Sequence, residues 1–316
     1  MAHKVVVLNA QKMNYDNCLD FSVPGCDVEV YADSTPAQIA ERAKGADAIV
    51  TKELVLTPEM VAALPESVKL ICEAGTGYNN IPLDAVRARG ITVCNVPAYS
   101  SDRVAHTAIM LMLMLSSSMQ KQLKMLYSGD HSNFTKFLLL PHVELNGKTL
   151  GIVGAGNIGK TVIRVAQAMG MNILVYTRHP KEDSDGIKYV SLETMLKESD
   201  YVSLHCPLSP QTRHIIDADA IAKMKPSAFL INTSRGPLVD EKALIEALKA
   251  GRIAGAGLDV QETEPPAEDN PLYTMENVIL TPHMGWKGLE TRRRLASIVV
   301  NDIKNFFAGT PINVVS

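Results

Sequence analysis

The 316-residue sequence predicts an α/β fold built on two doubly wound parallel β-sheets, and three observations carry that reading. Strand-like apolar runs alternate with helical patterns almost from end to end. Most of these runs are continuous rather than alternating, as strands covered on both faces should be. One of them leads directly into a glycine-rich turn and then a helical run. The length suits two domains rather than one.

Taken in order, strands are expected over residues 4–9, 28–31, 48–51, 69–72 and 92–96. Helical pieces fall between them at 36–44, with Thr35 as N-cap and Pro36 at the first helical position, and at 82–89. A break near Val96-Pro97 separates the sheets. A long helical pattern over about 101–124 then leads into the second domain. Within it, residues 104–115 are apolar around the whole circumference, which predicts a helix buried between layers or between subunits. That stretch contains His106 and is too short to span a bilayer. Further strands are expected over 149–153, 173–176, 201–206, 228–233, 255–260 and 278–280. A last helix is expected over 288–307, rich in arginine early and apolar later.

Composition narrows the function classes. Hydrophobic residues at 46% and charged residues at 21% give the balance of a globular protein with a real core. The net charge of −3 argues against a nucleic-acid partner, which usually demands a basic face. The five cysteines (Cys18, Cys26, Cys72, Cys94, Cys206) show no CxxC pairing. They read as reduced thiols that fill space in a cytoplasmic protein, with no metal site. The start of the chain runs straight into a strand pattern, so no export signal is expected.

The run Leu150-Gly151-Ile152-Val153 is followed by Gly154-Ala155-Gly156-Asn157-Ile158-Gly159 and then by a helical pattern. Strand, GxGxxG turn and helix in this order form a dinucleotide-binding fingerprint. Gly154 allows the tight turn, Gly156 lets a pyrophosphate approach the backbone, and Gly159 lets helix and strand pack closely. Ala155, Asn157 and Ile158 complete the loop, whose helix N-terminus offers free N–H groups to the phosphates. A carboxylate at the end of the next strand would accept hydrogen bonds from the 2′-OH of NAD. Here that strand ends in Thr177-Arg178-His179. Arg178 and the Thr177 hydroxyl would suit a 2′-phosphate, so NADP(H) is favoured, with NAD(H) as the alternative.

Further blocks carry a resemblance. Asn232-Thr233-Ser234-Arg235-Gly236, Gly257-Leu258-Asp259-Val260-Gln261-Glu262-Thr263-Glu264-Pro265 and Thr281-Pro282-His283-Met284-Gly285-Trp286 resemble the signature segments of the D-isomer-specific 2-hydroxyacid dehydrogenases. Leu204-His205-Cys206-Pro207-Leu208 and Ala74-Gly75-Thr76-Gly77-Tyr78-Asn79 extend it over nearly the whole chain. The resemblance implies that Arg235 grips the substrate carboxylate and carbonyl oxygen, that His283 is the general acid/base and that Glu264 is its carboxylate partner. These types suit the chemistry. A carbonyl receiving hydride gains negative charge on oxygen and needs a proton, which an imidazolium supplies near neutral pH. A neighbouring carboxylate favours the protonated imidazole, and the planar guanidinium fork matches a carboxylate.

The resemblance further implies cofactor contacts from Cys206, Pro207 and Thr212 on the adenosine half. Thr233, Ser234, Asp259 and Gly285 fall on the nicotinamide side. Gly75, Thr76 and Gly77 would offer backbone N–H groups to the substrate carboxylate. Lys52 is either a further cation for the substrate or a surface lysine. Trp286 either walls the pocket against long substrates or packs inside the cofactor domain. The architecture implied is a Rossmann cofactor domain, residues 99–286, inserted into a flavodoxin-like substrate domain of residues 1–98 and 287–316.

Two positions depart from the family pattern: His106 stands where Glu or Gln is usual, and Thr177 where an acid is usual. The Trp286 block and the Gly75-Thr76-Gly77 loop are most similar to those of glycerate dehydrogenases and hydroxypyruvate or glyoxylate reductases. The expected function is therefore reduction of a small 2-oxo acid to its D-2-hydroxy acid, or the reverse, by a homodimer that binds no nucleic acid and no membrane. The alternatives are a nucleotide-sensing corepressor-like scaffold and a dehydrogenase for larger apolar or phosphorylated 2-hydroxy acids.

Overall fold

The computed structural model describes residues 2–184 and 186–316. The chain divides into two compact units, Met1–Ser100 with Lys287–Ser316, and Ser101–Trp286.

The first unit holds a five-stranded sheet of β1 (His3–Val7), β2 (Cys26–Val30), β3 (Ala48–Thr51), β4 (Leu70–Glu73) and β5 (Thr92–Cys94), in the order β2-β1-β3-β4-β5. Every pairing is parallel, which is the flavodoxin-like arrangement. The apolar runs that predicted these strands form its core, with Val6, Ile49, Ile71 and Val93 fully buried. Helices α1 (Pro36–Arg42), α2 (Pro58–Ala63) and α3 (Leu83–Ala88) connect successive strands. At the start of α1, Gln38 Oε1 accepts a hydrogen bond from Thr35 N at 3.0 Å, so the expected cap is in place. The C-terminal helix Leu289–Phe307 packs against β4. It buries Arg292, whose guanidinium donates to both carboxylate oxygens of Asp16 at 2.8 and 2.6 Å.

The second unit holds seven parallel strands: β6 (Thr149–Val153), β7 (Asn172–Tyr176), β8 (Ile187–Tyr189), β9 (Tyr201–Leu204), β10 (Phe229–Asn232), β11 (Gly255–Leu258) and β12 (Val278–Leu280). Their order is β12-β11-β10-β9-β6-β7-β8, a doubly wound Rossmann sheet extended by one strand. The chain leaves β6 for β7 on one side and later returns to lay β9 on the other, so the topological switch point lies between β6 and β9. Helices α4 (Ser101–Ser116), α5 (Met119–Tyr127), α6 (Ser132–Thr135), α7 (Asn157–Ala168), α8 (Leu192–Glu198), α9 (Ala218–Lys223) and α10 (Glu241–Lys249) complete the unit.

Three expectations change. The single helix over 101–124 is two, because Ser118 takes a left-handed φ of 47° and its hydroxyl donates to Pro141 O at 2.7 Å. The apolar stretch 104–115 packs against α7, β10 and β11 on most of its faces, but not all round, since Leu113 is 43% exposed. The strands expected over 201–206, 228–233 and 255–260 stop at Leu204, Asn232 and Leu258. The residues beyond them form loops at the carboxyl ends of the strands. Strand β8 was not expected, since Ile187-Lys188-Tyr189 is too short to register as a pattern.

Candidate active site

The residues singled out in the second unit gather on those carboxyl-end loops, where open α/β sheets bind ligands. His283 follows β12, and its Nδ1 lies 2.7 Å from Glu264 Oε2. The other oxygen of Glu264 accepts from Gln261 N at 3.1 Å, which fixes the carboxylate plane. Both side chains are partly open, at 25% and 35% exposure, so a ligand can reach them. His283 has φ 48°, and Asp259 accounts for that unusual backbone. The Asp259 residue is buried; its Oδ1 accepts from the Thr281 hydroxyl at 2.6 Å and from Met284 N at 2.9 Å, and its Oδ2 accepts from Gly285 N at 2.8 Å. Its carbonyl accepts from His283 N at 2.9 Å. The carboxylate expected to face a nicotinamide amide therefore also holds the histidine loop together.

Arg235 follows β10. The turn that carries it is closed by Asn232, which donates from Nδ2 to Arg235 O at 2.9 Å and accepts from Ser234 N at 3.1 Å. The Ser234 hydroxyl donates to Cys206 O at 2.7 Å, tying this turn to the end of β9. Sequence reasoning did not single out Asn232 or Gln261 as organisers of the site. The signal available was a short polar residue three positions before the arginine, at a strand end.

The glycine loop has the shape its spacing predicts. Gly154 has φ +93°, and a β-carbon there would lie 2.9 Å from the Cys206 backbone. A β-carbon at Gly159 would lie 2.3 Å from Gly154 O, so helix α7 could not pack as it does. At Gly156 a β-carbon would meet nothing within 4 Å. Gly154 N donates to Tyr176 O at 2.9 Å, joining the loop to the end of β7, where Thr177 and Arg178 follow. Burial pushes the Cys206 thiol up to about 11, and the Arg178 charge partly opposes this. Cys206 is buried and packs into the core of the unit. Burial also raises the thiols of Cys26, Cys72 and Cys94; Cys72 and Cys94 fill space as expected, whereas Cys26 is only partly buried and Cys18 is exposed. The Thr212 hydroxyl donates to Pro207 O at 2.8 Å and closes its own loop.

In the first unit, Lys52 follows β3 and is 2% exposed, its Nζ 2.6 Å from Glu53 Oε1. The surface-lysine alternative is thereby excluded: backbone bonds to Asn9 hold the residue inward, with Asn9 Nδ2 donating to Lys52 O at 2.6 Å and Lys52 N donating to Asn9 Oδ1 at 2.9 Å. Lys52 Nζ lies 3.3 Å from where a β-carbon of Gly75 would be. Gly75 N donates to Glu73 O at 2.8 Å, so of the three amides expected to meet a carboxylate, Gly75 is engaged within its own turn. The Thr76 hydroxyl donates to Val96 O at 2.8 Å, which ties the loop to the end of β5.

A cavity of about 260 Å³ in the second unit lies elsewhere. It is lined by Lys148, Asp200, Ala254 and Asn277, just before β6, β9, β11 and β12, and so opens at the amino ends of the strands, away from these loops.

Comparison with known proteins gives the family. Residues 109–285, more than half of the chain, match the family model of the D-isomer specific 2-hydroxyacid dehydrogenase, NAD binding domain. The chain is 38% identical over 319 residues to a glycerate dehydrogenase of Methylorubrum extorquens, covering 100% of this chain and 99% of that one. It is 36% identical over 283 residues to a hydroxypyruvate reductase of Blautia hydrogenotrophica, covering 88% of each. The chain belongs to the D-isomer-specific 2-hydroxyacid dehydrogenases. This dehydrogenase also resembles the crystal structure of an NADPH-dependent glyoxylate/hydroxypyruvate reductase from Sinorhizobium meliloti in complex with NADP and malonate. The TM-score is 0.86 and the identity 28%, covering 100% of this chain and 97% of that one.

Membership makes the protein an oxidoreductase that uses a nicotinamide cofactor on a 2-oxo or 2-hydroxy acid. The residues present fit such a cofactor. Gly156 leaves open space where a pyrophosphate must approach the backbone. The Thr233 hydroxyl, buried just after β10, has no hydrogen-bond partner among the described residues, and a buried polar group of that kind calls for one. Among the described residues, no helix is long and apolar enough to cross a membrane, and no cluster of three or more His, Cys, Asp or Glu residues could hold a metal ion.

Proposed function

We propose that this dehydrogenase reduces a short 2-oxo acid, hydroxypyruvate or glyoxylate, to the D-2-hydroxy acid, with NADPH as the favoured donor. The observation that carries the reading is the 2.7 Å contact between His283 and Glu264 on the strand-end loops that also bear Arg235.

The bound cofactor supplies a hydride to the carbonyl carbon. His283 gives the proton that the carbonyl oxygen then needs. With Nδ1 turned to Glu264, Nε2 is the nitrogen left for the substrate. Glu264 holds the ring in that orientation. Arg235 binds the substrate carboxylate through two parallel N–H bonds and polarises the carbonyl oxygen. In the first unit, the amides of Thr76 and Gly77 and the buried Lys52 are assigned to the substrate. Trp286, 5% exposed, would offer a ligand little more than an edge of its indole.

Gly154, Ala155, Gly156, Asn157, Ile158 and Gly159 would hold the pyrophosphate. Cys206, Pro207 and Thr212 would flank the adenosine half, and Thr233, Ser234, Asp259 and Gly285 the nicotinamide half. Arg178 and Thr177 would meet the 2′-phosphate. The substrate reading draws support from the names of the relatives, and the cofactor reading from the Arg178 corner and the NADP-bound neighbour.

Reduced-nicotinamide absorbance, followed with glyoxylate and hydroxypyruvate and with NADPH and NADH in parallel, tests both readings. Fast NADPH oxidation is the expected result. A preference for NADH would overturn the Arg178 assignment, and turnover confined to larger 2-oxo acids would overturn the substrate assignment.

We also infer a homodimer in the cytoplasm. Large apolar side chains crowd the surface between α4 and β6, with Tyr127, Phe134 and Phe137 at 82%, 79% and 99% exposure. A second copy of the chain would cover them. The cytoplasmic reading rests on the free cysteines. Light scattering on the purified protein should return twice the 34.3 kDa chain mass; a monomer at micromolar concentration would refute the dimer.

A further inference from the structure

Arg235 and His283 must act on one substrate, yet they stand on loops after different strands, β10 and β12. Arg235 does not reach across to set its own position: its Nη1 donates to Ser234 O at 2.8 Å, within its own turn. The placement of the guanidinium therefore depends on how the whole turn seats against the neighbouring loop.

That seat is Gly236. A β-carbon at this buried glycine would lie 1.7 Å from Gln261 O, 2.0 Å from Gln261 C and 2.5 Å from Glu262 N. All three atoms are backbone, so no side-chain rotation can relieve the overlap. The backbone conformation of Gly236 is not left-handed, which makes contact, and not φ, the reason for glycine. On its other side the same segment reaches the acid–base pair, since Gln261 N donates to Glu264 Oε1 at 3.1 Å while Glu264 Oε2 meets His283. Gln261 is itself buried and its Nε2 donates to Leu258 O at 3.5 Å, which anchors it to β11. One peptide segment thus stands with its carbonyl against the arginine turn and its N–H against the glutamate.

We propose that Gly236 is a positioning residue: its bare Cα seats the Arg235 turn directly on the Gln261–Glu262 peptide and so sets the distance between the guanidinium and the Glu264–His283 pair. This rests on the roles assigned to Arg235, Glu264 and His283 above. Any side chain at 236 must drive the two loops apart by more than an ångström, and a displacement of about 1 Å can cost roughly 10²-fold in rate.

The test is a double-mutant cycle on the full-length protein, run on whichever 2-oxo acid the parent enzyme reduces best from glyoxylate, hydroxypyruvate, pyruvate and phenylpyruvate. The choice of substrate reports on the function proposed above, and the cycle reports on Gly236. Gly236→Ala should keep a single unfolding transition and bind NADPH within about threefold of the parent by nucleotide fluorescence. It should lose about 10²-fold in kcat/KM, most of it in kcat. In an Arg235→Ala background the same substitution should cost less than about threefold, because the distance it disturbs no longer matters. A full 10²-fold loss in both backgrounds, or no loss in either, overturns the proposal. Should Gly236→Ala fail to fold, Asn232→Ala loosens the same turn from its other end. It should cost at least about tenfold in the parent and far less beside Arg235→Ala; equal losses in both, or none, overturn the proposal equally.

Discussion

His283 Nδ1 lies 2.7 Å from Glu264 Oε2, across 19 residues of sequence and between the ends of two strands. Asp259, just after β11, braces the loop of this histidine at φ 48°: its carboxylate accepts from the Thr281 hydroxyl before it and from Met284 N and Gly285 N after it, and its carbonyl accepts from His283 N. A non-glycine residue reaches that region at some cost and remains there only when its surroundings insist. Here a buried carboxylate with three donors does so.

This arrangement makes the pair unequal in its consequences. His283→Ala should lower kcat by about 10³-fold, since it removes the proposed proton donor. Glu264→Gln, which keeps shape and one acceptor, should cost about 10- to 10²-fold. NADPH binding should be unchanged in both, as read by nucleotide fluorescence. Equal turnover in His283→Ala and the parent would refute the acid–base assignment.

The second and third glycines of the loop should separate folding from cofactor binding. At Gly156 an added methyl meets no protein atom, so Gly156→Ala should leave Tm within about 1 °C while weakening NADPH binding at least about tenfold. At Gly159 the same methyl meets Gly154 O at 2.3 Å. Gly159→Ala should therefore destabilise the protein by about 1–3 kcal/mol, in the range of overpacked core sites. Calorimetry with and without nucleotide checks both.

His205 gives the second unit an acid-side limit. Burial depresses its imidazole to about 4, below the usual 6.5, and the neutral ring contacts the Ser203 hydroxyl at 2.8 Å. The unfolded chain takes up a proton at this group below pH 6.5, while the folded chain resists until about 4. Stability from His205 is thus complete above pH 6.5 and falls away as pH drops towards 4. His205→Gln should flatten the Tm profile between pH 6.5 and 4.5, measured by differential scanning fluorimetry.

Asp302 has the opposite sign in the first unit. Burial raises its carboxyl to about 6, against which the bond from Asn313 Nδ2 at 2.8 Å works, and its Oδ2 has no hydrogen-bond partner among the described residues. The folded chain holds the proton more tightly than the unfolded chain, so stability is greatest below pH 3.8 and is lost as pH rises through 6. Asp302→Asn should stabilise the protein at pH 7.5 by on the order of 1 kcal/mol, or a few degrees in Tm. The gain should vanish near pH 4; a gain that persists there would point to packing instead of charge.

Much of the fold was legible because strands buried on both faces must be written as continuous apolar runs, and residues 149–153, 173–176 and 278–280 could be little else. The helix break at Ser118 was not legible, since a left-handed serine carries no local signal and depends on Pro141, 23 residues away. Lys52 could be read only as a charge near a strand end. Its burial is decided by Asn9, 43 residues earlier in the chain.

The sequence by itself determined the chemistry: the glycine spacing, the Arg235, Glu264 and His283 types, and the order of strands and helices. Those depend on residue identity and short spacing, which a linear chain records directly. Only the tertiary structure decided that Glu264 and His283 touch, that Asp259 holds their loop and that Gly236 must be bare against Gln261. Those are contacts between residues distant in sequence, and their distances are set by how parallel strands register and how tightly their end loops pack.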